Sequence, residues 1–172
     1  MSNALWIAFV IFLGVTQALQ VALLGAMNRS RGPSEAAYLS IVGTVAGLSA
    51  VLALRGYAGA RPALPAPFDQ PIVPGIIAVV SGVLLVMVMQ GLPGLYAVTG
   101  VLAVPYLVAA SYLAPKLGVG LFLAALIAGQ LGGGVVFDQI GAFGGAVRPV
   151  DAARLVGVAA LLAGVVLVRG FR

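Results

Sequence analysis

The sequence predicts an all-α, polytopic membrane protein, a bundle of about six transmembrane helices, or five if segment 73–90 is re-entrant. Three observations carry that prediction. Of the 172 residues, 62% are hydrophobic and only 8% charged, and the mean hydropathy is +1.18. An ordinary soluble domain is about 45–50% apolar and about 25% charged. Long charge-free apolar runs recur along the chain, and polar, Pro-rich or Gly-rich stretches divide them. Nine Lys/Arg and four Asp/Glu cannot cover a soluble body of this size. The composition therefore excludes a soluble globular domain, a disordered chain and a nucleic-acid binder. The pI of 10.3 reflects a net charge of +5 spread along the chain with no basic stripe, which suits membrane-flank charge.

A crossing helix needs about 20 apolar residues to span about 30 Å of hydrocarbon. The first runs from Ala4 to Met27 without a charge. It is too long for a signal-peptide core and no Lys or Arg precedes it, so it reads as a retained helix. The polar turn Asn28 to Glu35 follows, with Ser34 as the expected N-cap of a second helix over Glu35 to Leu54. Arg55 to Pro71 is a Pro/Ala-rich linker, placed outside the hydrocarbon because an extended backbone cannot satisfy itself in lipid. The apolar stretch Ile72 to Leu113 is too long for one crossing. Its "QGLPG" at 90–94 splits it into helices near 73–90 and 93–113, the second expected to kink at Pro105. Lys116 marks a short loop. A fifth helix runs over about 117–137 with a glycine-rich end, and Asp151 caps a last helix of about 152–168. The whole is expected to form one transmembrane domain, 1–172, with the linker at 55–71 outside the membrane.

The chemistry that most enzymes require is missing. There is no Cys and no His, and the four carboxylates stand far apart in sequence. Neither catalysis nor a metal or other cofactor is expected.

Charge gives almost no orientation. With six crossings one side collects Arg55, Arg61, Lys116, Arg169 and Arg172, and the other Arg29, Arg31, Arg148 and Arg154. With five, the tally is four against five. Such balance is compatible with copies inserted both ways and paired antiparallel, which would supply the inverted symmetry that alternating access uses.

Packing in lipid relies on small residues. Gly43 and Gly47 form GxxxG on the second helix, Gly129 and Gly133 do so on the fifth, and Gly14, Ala18, Ala22 and Ala26 repeat at i+4 on the first. Polar residues in the spans must find partners, because bare amides are costly in hydrocarbon. Gln17, Gln20 and Asn28 fall within an arc of about 80° on helix one. Ser40 and Thr44 join the glycine face of helix two, Tyr106 flanks Pro105, and Gln130 lies on helix five. They serve either interhelical hydrogen bonding or a neutral polar cavity for a small solute. Gln17, Gln20, Asn28, Tyr106 and Gln130 are the candidate substrate-binding residues. Asp138, the one carboxylate at the end of a span, is the candidate coupling or charge partner, or else an interfacial carboxylate paired with Arg148.

One group of motifs is more specific. Gly129-Gln130, then Asp138 and Gly141, then Arg148-Pro149, Arg154, Gly157 and Gly164-Val165 together resemble the YdcZ-like family of inner-membrane exporters, in the drug/metabolite transporter superfamily. "SIVGT" (40–44) and "PKLG" (115–118) add weaker likeness. The resemblance covers most of the chain except roughly 56–92, where an apolar segment reads as an insertion. It implies a multi-pass protein of the bacterial inner membrane that moves a small molecule as a homodimer with inverted halves, and the polar residues themselves suggest a small metabolite or an amphipathic or cationic compound. The rival expectation is a non-transporting accessory or scaffold protein whose polar residues only join helices.

Overall fold

The computed structural model describes residues 3–170, so Arg172 of the charge tally lies outside the described residues. The described chain is helical, in the order α1 (Asn3–Arg31), α2 (Pro33–Tyr57), α3 (Ile72–Val88), a short 3-10 turn (Gly94–Ala97), α4 (Val98–Leu117), α5 (Val119–Ile140), a second 3-10 turn (Ala142–Gly144) and α6 (Ala152–Arg169). Five segments are long and apolar enough to cross a membrane; α3, with 17 residues, is shorter. The helices run past several expected boundaries. The α2 helix continues to Tyr57, so the linker is 58–71 rather than 55–71. Lys116 closes α4 instead of marking a loop, and α5 continues to Ile140.

Two of the joints need only one residue each. Gly32 separates α1 from α2 at φ 95°, and Gly118 separates α4 from α5 at φ 86°. Only glycine adopts such angles without strain. Each donates its N–H back to the preceding helix, to Asn28 O at 2.9 Å and Ala114 O at 3.0 Å. Ser34 is therefore not a cap: Pro33 already occupies the first helical position, where its missing N–H costs nothing, and no side chain caps this end. Asp151 does cap α6, accepting from Arg154 N at 2.8 Å.

The chain divides into two compact units, 27–104 and 1–26 with 105–172, and both α1 and α4 contribute to each. In the first unit α2 packs on α3. A Cβ on Gly56, near the end of α2, would stand 2.6 Å from Pro71 Cβ at the start of α3. Arg31, beside the start of α2, donates to Val88 O at 3.0 Å and to Gln90 O at the end of α3. The two ends of α3 thus meet opposite ends of α2, so α3 runs antiparallel alongside it. Gly43 faces Gly100 of α4, Gly47 faces Val104, and Thr44 donates to Gly100 O at 2.9 Å.

In the second unit α1, the end of α4, α5 and α6 share a core of Ile7, Val10, Leu13, Leu113, Phe122, Ala125, Leu126 and Val165. Gly14 faces Gly129, and Gly133 faces Ala18 and Val15. The sequence-read glycine stripes are therefore packing seams. Trp6 meets Tyr112 edge-on at 6.2 Å, and Lys116 Nζ stands 3.6 Å over the Tyr112 ring. Aromatic and basic residues at helix ends favour the membrane–water boundary.

Candidate functional site

The most developed polar arrangement lies where α5 ends and α6 begins. Asp138 sits in the last turn of α5. Gly141, at φ 57°, stops that helix, and its N–H returns to Asp138 O at 3.3 Å. The loop is then folded back. Arg148 N donates to Asp138 O at 2.8 Å, and Val150 N donates to Gln139 Oε1 at 2.5 Å. Asp151 starts α6, and Arg154 stands one turn on. Its Nη1 reaches Asp138 Oδ2 at 3.5 Å and Arg148 O at 3.4 Å.

Asp138 therefore pairs with Arg154 and not with the Arg148 side chain; Arg148 contributes only backbone. The side chains of Arg154 and Asp138 are 32% and 46% exposed. A long, half-exposed pair contributes at most about 1 kcal/mol to stability. It is weak enough for a charged ligand to displace.

The pair closes one end of a cavity of about 390 Å³ between α5 and α6, lined otherwise by Leu131, Gly134, Val135, Gly157, Val158 and Leu161. The volume lies in the usual range for small-molecule sites. Glycine creates the room: a Cβ on Gly134 or on Gly157 would meet nothing within 4 Å. The result is an apolar trough with one ion pair at its end, suited to an amphipathic ion.

Of the candidate residues, the structure brings only Asp138 to this cavity. Gln130 lies two turns earlier on α5, beside Gly129 of the α1–α5 seam, and is half-buried. Gln17 and Gln20 lie on the same unit's part of α1, half-buried and each already engaged in an interaction. Tyr106 packs against the apolar core, which favours a structural role for its ring. Asn28 is exposed near the end of α1, in the other compact unit. Sequence reasoning missed Arg154 as the partner and Gly134 and Gly157 as the cavity's makers. A signal was present: Asp151 as cap fixes Arg154 in the first turn of α6, within reach of the end of α5.

A family model described as "Putative inner membrane exporter, YdcZ" matches residues 72–167, more than half of the chain. The match takes in α3, so that helix is not an insertion into the family pattern. Among curated proteins and solved structures no match is found. The motifs at Gly129-Gln130, Asp138 and the α6 tail all fall inside the matched range, and the chain belongs to this YdcZ exporter family as a multi-pass inner-membrane protein.

Proposed function

We propose that the protein exports a small amphipathic or cationic solute by alternating access, as an antiparallel homodimer. The solute's charged end engages Asp138, displacing Arg154, and its apolar part lies in the trough between α5 and α6. One observation carries this reading: the Asp138–Arg154 pair is long, half-exposed and set at the mouth of a glycine-widened cavity. Gln130, with Gln17 and Gln20, supplies uncharged contacts along the path. Two features support the homodimer. Only 6% of the most apolar stretch of α6 is buried, against 28–33% in the other long helices, so this helix has a face free for a second copy. The nearly even distribution of Lys/Arg between the two sides permits both orientations.

Flux in reconstituted liposomes tests the reading. A lipophilic quaternary cation should move, and a matched lipophilic anion should not. Asp138→Asn should lower cation flux about tenfold or more, as expected for the loss of one charge-assisted contact. Gln130→Ala should lower flux while leaving folded protein in the membrane. Absence of flux for any solute, with or without a pH gradient, would instead favour the accessory or scaffold role.

A further inference from the structure

A second cavity belongs to the other compact unit, where the 58–71 linker follows the end of α2. It measures about 610 Å³ and its lining includes Tyr57, Arg61, Asp69 and Gln70. These supply a phenol, a guanidinium, a carboxylate and an amide within one small volume. No comparable set of polar side chains lines the trough.

The backbone around this cavity is already satisfied. The final carbonyls of α2, on Leu54, Arg55 and Gly56, accept from the N–H groups of Ala58, Ala60 and Gly59. The linker is turned by Phe68 N to Pro65 O at 2.9 Å and Gln70 N to Pro67 O at 3.2 Å. Pro71 is seated on Gly56, where a Cβ would not fit. The walls are thus fixed, and ligand recognition falls to the side chains.

Those side chains are unspent. Asp69 Oδ1 is shielded from solvent and has no hydrogen-bond donor among the described residues. Arg61 and Asp69 line the same cavity yet do not form an ion pair; among the described residues the ion pair is Asp138–Arg154. Opposite charges on one short linker ordinarily close on each other when the geometry allows. Here the fold holds them apart, and a shielded carboxylate oxygen without a donor is an uncompensated cost. A ligand in the cavity would meet the part of Asp69 that lines it rather than the shielded oxygen, and one bearing both signs of charge would give Asp69 and Arg61 a partner each.

We propose that this cavity binds a small zwitterion. A primary ammonium would sit at Asp69, and an anionic oxygen group, carboxylate or phosphate, at Arg61, where the guanidinium offers two parallel donors. The Tyr57 ring would cover the short carbon chain between them. Two sources carry that chemistry: a free solute of the amino-acid type, and the ethanolamine phosphate headgroup of a membrane lipid. The proposal is independent of the export reading, because neither Asp138 nor the trough takes part.

The full chain in phosphatidylglycerol nanodiscs provides the test for the free solute. Calorimetric titration with glycine and with O-phosphoethanolamine should show saturable binding, weakened about tenfold or more in Asp69→Asn and in Arg61→Gln. A second arm tests the headgroup. Native mass spectrometry from mixed phosphatidylethanolamine and phosphatidylglycerol discs should show retained phosphatidylethanolamine that both variants lose. Binding in the first arm assigns a free zwitterion, and retention in the second alone assigns the headgroup. No binding in either arm overturns the proposal, as does binding that survives either substitution. Both variants are nearly isosteric or shorter and lie on an exposed linker, and an unchanged elution profile separates lost binding from lost fold.

Discussion

Two glycine seams hold this protein's helices together, one in each compact unit, and they are built differently. In the α1–α5 seam, glycine meets glycine with no room to spare. A Cβ on Gly14 would overlap Leu126 O, and one on Gly129 would overlap Ile11 O. The α2–α4 seam is lopsided. A Cβ on Gly100 would overlap Ser40 O, but one on Gly43 would stand 3.1 Å from Gly100 Cα, and the tightest contact of one on Gly47 would be the end of the Val104 side chain at 3.0 Å. That second seam also has a hydrogen bond, from Thr44 Oγ1 to Gly100 O. In lipid no hydrophobic force draws helices together, so close backbone contact and interhelical hydrogen bonds share the task. One seam sets glycine against glycine, and the other joins a looser approach to a hydrogen bond.

The largest expected effect breaks this contrast if it fails. Gly129→Ala should destabilise the protein by about 3 kcal/mol, the upper part of the usual overpacking range, because its methyl meets backbone that cannot turn aside. Gly100→Ala should behave alike. Gly43→Ala should cost about 1 kcal/mol or less, since a shift of a few tenths of an ångström accommodates it. Unfolding in mixed micelles measures all three. Equal losses at Gly43 and Gly129 would erase the difference between the seams.

The same contrast shows how far the sequence could be read. GxxxG on α2 and α5 marks real seams, because spacing alone puts both glycines on one face. The motif does not identify the immovable partner. Gly100 belongs to no GxxxG, and only the crossing point of α2 and α4 makes it irreplaceable. The same limit applied at the candidate site. Asp138 stood out as the single carboxylate ending a span, but its cation was assigned by nearness in the loop. Arg148 meets Asp138 through its backbone N–H, and the start of α6 supplies Arg154 as the paired cation instead. The amides show the limit most clearly. A helical wheel places Gln17, Gln20 and Asn28 on one arc of α1, yet the division of the chain after Ala26 assigns Asn28 to a different unit. Periodicity orders residues around one helix. It carries no information on which neighbour each part of a long helix meets.

A smaller effect sharpens the contrast from the other side. Thr44→Val keeps shape and removes the hydroxyl that reaches Gly100 O. Interhelical hydrogen bonds of this kind are worth about 0.6 kcal/mol on average and about 1.7 at most. Thr44 Oγ1 can also donate to Ser40 O on its own helix, at 2.8 Å. The loss should therefore fall near the average, below that of Gly100→Ala. A loss as large as that of Gly100→Ala would mean that the hydrogen bond, and not the close approach, carries the α2–α4 seam.

The smallest effect is expected one residue away from a closed position. On α5, a Cβ on Gly133 would stand 3.0 Å from Ala18 Cβ, whereas one on Gly132 would meet nothing within 4 Å. Gly132→Ala should leave the stability of the single chain unchanged, or raise it by up to about 1 kcal/mol through helix propensity. Gly133→Ala should lower it. Neighbouring glycines in the same run would then respond with opposite signs, because one lies in the seam and the other on an open face. If that open face is covered by a second copy, Gly132→Ala would weaken the dimer while sparing the folded chain. Measuring oligomeric state alongside unfolding separates the two, since a methyl group that finds empty space within one chain and a clash in the pair can only be meeting the partner.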